Sequence, residues 1–223
     1  MSKYRLLVTA ALVLTLASAQ FSRTQGRDAA AKSQRPQAIF LEGYLLQLGE
    51  KYGLYFTLET AWVSGEPSNW LESYRVKGPP KLDGVRRDLE RLKKYVPHFT
   101  YVFDKSNPKV VHVIDARLVG RKAYGPDSLV ESINYKGALP GLVNSLGERG
   151  IKVSTARLAA IGDTRPRDYS TEVHVTAQNI TVRDAITRFT PLEGRRRIIW
   201  DSTTNLIPDG VSQIQFYGSA KSQ

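Results

Sequence analysis

Leu41-Glu42-Gly43 leading to Leu48-Gly49-Glu50-Lys51, and Leu139-Pro140-Gly141 leading to Leu146-Gly147-Glu148-Arg149, are one phrase written twice. Leu41, Gly43, Leu48, Gly49 and Glu50 each recur 98 residues further on. Leu82, Val85, Leu89 and Leu92 then find counterparts in Ile180, Val182, Ile186 and Phe189, and Phe103-Asp104 in Trp200-Asp201, at spacings of 97 to 98. Matches that keep their order at a nearly constant offset read as an internal duplication.

Each copy reads as the same series of elements. Leu41, Leu45, Leu48 and Tyr52 make one helical stripe, and Leu139, Leu142, Val143 and Leu146 make the other. Gly53 and Gly150 suit the helix ends, where a left-handed residue closes the last turn. A strand follows, over 54–58 or 151–155. After a longer connection comes a second strand, 73–77 or 172–177, in which Val173 and Val175 alternate with polar neighbours. The second helix has Asp83 as the expected N-cap in copy one and Thr181 with Asp184 in copy two. Pro97 and Pro191 end these helices. Closing strands over 99–103 and 197–201 follow, with 110–114 and 212–217 as hairpin partners. Two amphipathic helices on a small mixed sheet give an α+β layer in each copy, of the βαββαβ kind. The expected organisation is a first domain over 38–118, a linker over 119–132 marked by Gly120, Gly125 and Pro126, a second domain over 133–218 and a tail over 219–223.

This pattern resembles the short N-terminal domain (STN) shared by secretins and TonB-dependent receptors. The likeness is carried by Leu45, Leu48, Gly53 and Leu54 with Tyr55 and Phe56. In copy two it is carried by 175–179, then Val182, Ala185, Ile186 and Phe189, then Ile198-Ile199-Trp200. These are core and turn positions. No barrel or plug pattern is read after the second copy, and 62–70 is longer than a tight connection. The resemblance therefore implies a periplasmic module that works by protein contact, without a receptor or pore role.

The chain has 223 residues, 41% of them hydrophobic and 24% charged, which excludes a multi-span membrane protein and a wholly disordered chain. Lys3 and Arg5, an apolar run from Leu6 to Ala17 and Ala17-Ser18-Ala19 form a three-part export signal over 1–19. The run is shorter than the roughly 20 residues of a spanning helix. Cleavage before Gln20 leaves a flexible, apolar-poor stretch over 20–37 and places the protein in the periplasm or outside the cell. With no cysteine, disulfides and thiolate chemistry are excluded, so the exported chain rests on its hydrophobic core.

No coherent catalytic set is legible. His98, His112 and His174 lack zinc spacing. Glu59, Glu66, Asp104, Asp115 and Asp201 offer carboxylates for a hydrolase acting on envelope material, but a sequence cannot show their separation. The expectation is a non-catalytic protein with no cofactor and no metal. The net charge is +11, concentrated in Arg86, Arg87, Arg91, Lys93 and Lys94 on a helix and in Arg195-Arg196-Arg197 before a strand. Such clusters are either solvated faces or sites for an anionic envelope partner such as lipopolysaccharide, anionic lipid or wall polymer. Nucleic acid is not expected, since no nucleic-acid motif appears. Trp62 and Trp70, read as part of a long connection, either anchor a partner or cap the sheet. The leading expectation is a non-catalytic envelope adaptor acting by protein contact, for which acceptance of a partner's strand at a sheet edge is one open mechanism. The alternative is a basic protein that binds the polyanionic surface.

Overall fold

A computed structural model of the chain describes residues 39–63, 75–76, 83–96, 98–155, 172–192, 197–206 and 210–217, all in one compact unit. Its elements are β1 (Ile39–Phe40), α1 (Leu41–Tyr52), β2 (Tyr55–Trp62), β3 (Arg75–Val76), α2 (Val85–Tyr95), β4 (Phe99–Phe103) and β5 (Val110–Asp115). A 3-10 turn (Gly125–Asp127) then leads to β6 (Leu129–Ala138), α3 (Leu139–Glu148), β7 (Val153–Thr155), β8 (Glu172–Thr181), α4 (Val182–Phe189), β9 (Ile198–Asn205) and β10 (Ser212–Phe216). The fold is α+β. Among the described residues the order β-α-β-β-α-β-β occurs twice.

The helices form where the stripes place them. Leu41, Leu45 and Leu48 of α1, and Leu139, Leu142, Val143 and Leu146 of α3, are all buried. Each fully buried leucine contributes about 1.5–3 kcal/mol of transfer free energy. Gly53 ends α1 at φ 67, and Gly150 follows α3 at φ 87. The repeated Gly49 and Gly147 have a steric cause. A Cβ on Gly49 would lie 2.8 Å from the Leu54 carbonyl oxygen, and one on Gly147 would lie 2.6 Å from that of Val153. In both halves the strand leaves the helix so closely that only hydrogen fits.

The helix starts differ from one another. Thr181 caps α4 as expected, its hydroxyl accepting the Asp184 N–H at 3.1 Å. Gly84, not Asp83, is the N-cap of α2, without a side-chain cap. The fully buried Asp88 reaches back instead and accepts the Gly84 N–H at 3.2 Å and the Tyr52 hydroxyl at 2.8 Å.

Six strands form one mixed sheet in the order β4-β5-β2-β9-β10-β7. Within each half the pairing is alike: β4 is antiparallel to β5 and β5 parallel to β2, while β9 is antiparallel to β10 and β10 parallel to β7. β1 pairs with β3, and β6 with β8, each as a separate antiparallel pair. The halves meet where β2 runs parallel to β9, from Phe56 opposite Ile198 to Trp62 opposite Asn205. Sequence patterning predicts a separate sheet for each copy; three strands of each half lie in one six-stranded sheet. It also ended the first strand at Leu58, whereas β2 continues through the polar Glu59 and Thr60 to Trp62.

The two helix pairs cover opposite faces of this sheet. Phe56 and Leu58 pack with α1 and α2. Thr57 lies between them on β2 and is opposite Trp200, which packs with α3, α4 and Phe216. Side chains alternate along a strand, so the second core lies behind the first. Of residues 119–132, expected as a linker, Tyr124, Gly125 and Pro126 are buried, Tyr124 with Ala61, Ile114, Leu118 and Leu206 in a third cluster, and 129–132 open β6.

Candidate functional site

The sheet ends in two strands, β4 and β7, that have a strand neighbour on one side only among the described residues. Hydrogen bonds fix which amides face outward. The Asp104 N–H donates to the Val110 carbonyl and the Ala116 N–H to that of His98, so the even-numbered residues of β4 face β5. The amides of Tyr101 and Phe103 point away from the sheet. On β7, the Ser212 N–H donates to the Lys152 carbonyl, so Ser154 faces β10 and Thr155 faces out. The outward Thr155 N–H is accepted by Asn144 Oδ1 of α3 at 3.3 Å, and the Thr155 hydroxyl donates to the same oxygen at 2.9 Å. A groove of about 800 Å³ runs along this edge, lined by Asn144, Ile151, Ser154, Thr155, Val211 and Gln213 among others. Val211 is 46% exposed there. On β4, Val102 is similarly exposed at 49%.

A charged cluster lies at the seam between the halves. Glu59 of β2 is fully buried and takes a two-pronged pair from Arg183 of α4, Nε to Oε1 at 2.6 Å and Nη2 to Oε2 at 2.7 Å. The Tyr124 hydroxyl donates to Glu59 Oε2, and Arg183 Nη1 also pairs with Asp127. Burial pushes the Tyr124 hydroxyl well above the ordinary tyrosine range, and the Glu59 charge adds to that. For Arg183, burial opposes the charge, but the hydrogen bonds and charge of Glu59 outweigh it and raise the pKa. A buried pair of this geometry is costly to break, because removing either member strands the other.

Beside it Thr57 Oγ1 meets His112 Nδ1 at 2.9 Å, and His112 Nε2 meets Asp104 Oδ2 at 3.1 Å. The order hydroxyl, imidazole, carboxylate is that of a nucleophile triad. Thr57 is fully buried in the middle of β2, however, so its hydroxyl has no approach for a substrate. Asp104 Oδ1 accepts the Ser106 and Asn107 N–H groups, closing a turn, which is the role expected for an aspartate after a strand. Burial raises the Asp104 pKa, but the hydrogen bonds from Ser106 and His112 outweigh it and hold the carboxyl below its ordinary value. Asp184 brings a third ligating atom within 4.8 Å of Asp104 and His112. Two features weaken a cation site there. Asp104 and His112 are bonded to each other, and Lys105 and Arg183 line the same pocket of about 200 Å³. The sequence names His112 and Glu59 as isolated candidates but not their partners Thr57, Tyr124, Asp127 and Arg183, which come from distant stretches of the chain.

The basic residues separate into paired and open ones. Arg91 bridges Asp83 at 2.7 Å and Asp88 at 3.1 Å. Lys93 pairs with Glu90 and lies over the Tyr101 ring, and Arg87 approaches Asp83 at 3.5 Å. Arg86 and Lys94 are exposed on α2. Arg197 stacks over the Tyr55 ring at the start of β9; Arg195 and Arg196 lie outside the described residues. Trp62 ends β2, opposite Asn205, and so belongs to the sheet and not to the following connection. Trp70 lies outside the described residues. Asp104 and Asp201 are not brought together as a pair: Asp104 serves the turn after β4, and Asp201 accepts from Tyr217 inside β9. Burial raises the Asp201 pKa to about 6.

No protein-family model matches this chain, and no curated protein or solved structure matches it. Among the described residues, no helix is long and apolar enough to cross a membrane.

Proposed function

We propose that this is a non-catalytic, exported interaction module of the cell envelope that acts by accepting a partner's strand at an edge of its six-stranded sheet. One observation carries the reading: the amides of Tyr101 and Phe103 on β4 face away from the sheet at its end, where β4 has no second strand neighbour among the described residues. Edges of this kind template the addition of another strand. The join between the halves, β2 beside β9, is a strand addition of the same sort within the chain. The export signal and the resemblance to the secretin and TonB-receptor STN domain favour a periplasmic setting, and the twofold element order favours descent from a duplicated domain.

The basic-surface alternative has less behind it, because Arg87, Arg91 and Lys93 are occupied by carboxylates. The deciding experiment is a cross-linked pull-down from the native envelope, washed at low and then high salt, with wild type, Tyr101→Pro and Thr155→Pro. Strand addition predicts one protein retained at high salt and lost with at least one of the proline variants. Recovery of lipid or polymer alone, released as salt rises, would sink it in favour of the electrostatic reading.

A further inference from the structure

The seam inside the chain shows what each open edge is shaped to meet. β4 and β9 hold the same place in their halves: each follows the second helix and lies antiparallel to the next strand. β2 and β7 correspond likewise: each follows the first helix and lies parallel to the last strand of its half. The seam joins β2 to β9 in parallel. The strands at the two ends of the sheet are their counterparts, β7 and β4.

Strand directions agree with this. β2, β5 and β9 run one way, and β4, β10 and β7 run the other. A second molecule brought up in the same orientation as the first therefore presents its β4 parallel to β7, as β9 is parallel to β2. We infer that the open edges bind a second copy of this chain, β7 of one molecule accepting β4 of the next. This inference rests on the strand-addition reading and names its partner. The two surfaces differ, so the contact is head-to-tail and repeats along a line without closing.

Two features limit its strength. β7 offers three residues where β2 offers eight. Both outward amides of β7 are already bonded, the Val153 N–H to the Ile151 carbonyl at 2.7 Å and the Thr155 N–H to Asn144, and incoming carbonyls must displace them. The corresponding position of α1 is Leu46, which packs against the first core and leaves β2 open to β9. The net charge of +11 adds mutual repulsion, so added salt strengthens this contact, opposite to its effect on binding to a polyanion.

The test is sedimentation velocity of the chain from Gln20 onward over a wide concentration range at low and high salt, with folding of each variant checked by circular dichroism. Wild type is expected to associate as concentration rises, more so at high salt. Asn144→Ala, which frees the Thr155 amide, shifts half-association to about tenfold lower concentration. Thr155→Pro and Tyr101→Pro each remove an outward amide without touching the bonds to β10 or β5, and each stays monomeric alone. Mixed together they form a dimer and nothing larger, because the first keeps a working β4 and the second a working β7. A misfolded edge cannot give that rescue. Folded variants that stay monomeric when mixed, or a wild type monomeric at every concentration, overturn the self-pairing. If an envelope protein is still captured in a proline-sensitive way, strand addition survives with a different partner; if neither is seen, both readings fall.

Discussion

Replacing Glu59 by glutamine keeps the shape of the side chain and removes its charge, which leaves Asp127 as the remaining ion-pair partner of the Arg183 guanidinium among the described residues. Glu59 is fully buried and the Arg183 side chain is 13% exposed, so water replaces little of the lost interaction. Breaking one member of a buried pair costs about 3–5 kcal/mol. A domain of this kind has a total stability of about 5–15 kcal/mol, so the single substitution removes about a fifth of it or more. Arg183→Met should cost a similar amount, because the buried Glu59 carboxylate must then take up a proton or stand unpaired. The double variant should be better than the sum of the two by at least about 2 kcal/mol, since each change relieves what the other strands. Urea unfolding at neutral pH of the four members of this cycle gives the coupling. Single costs under about 1 kcal/mol, or costs that simply add, would refute the claim that this pair fastens the halves.

Two further outcomes follow from other sites. Burial raises the Asp201 carboxyl from the ordinary aspartate range to about 6, so its neutral form is the one the fold favours; the stability this contributes is full below pH 4 and is lost as pH rises through 6, a difference of at most about 3 kcal/mol. Asp201→Asn should therefore raise the melting temperature at pH 8 and leave it unchanged near pH 4, and an equal shift at both pH values would count against the assignment. Gly43→Ala places a methyl in open space within α1 and should stabilise by about 0.5–1 kcal/mol, whereas Gly49→Ala drives it to 2.5 Å from Arg197 Cβ and should destabilise by about 1–3 kcal/mol, both readable by thermal melts.

The parts of the fold that were legible in the sequence are those fixed by short-range periodicity. The stripe from Leu41 to Leu48, its twin from Leu139 to Leu146 and the glycines that end each helix need nothing beyond local spacing. The pairing of β2 with β9 was not legible, because nothing local to Phe56 or Ile198 says that the two meet. The seam cluster stayed hidden for a related reason. Glu59 sits at an alternate position of β2, and such positions are solvated when one face of a sheet is open. Here that face is covered by Tyr124 and by Arg183 from the other half, so the polar position is buried and paired. Trp200 is the converse case: its size marks it as core, but only the structure shows that it belongs to the second core and lies behind the first.

The placement of β2 beside β9 also sets the order in which the chain can be completed. Thr60 donates to the Ser202 carbonyl across 142 residues of sequence. During synthesis from the N-terminus, β1 through β5 and their helices are available long before β9, and until then the inner edge of β2 carries bare amides. Contacts between residues so far apart pay loop-closure entropy before they return any energy, which slows the last step. The half-made sheet is thus the stage at which a foreign strand competes best for β2, and conditions that speed delivery of the C-terminal half should favour correctly folded chains over aggregates.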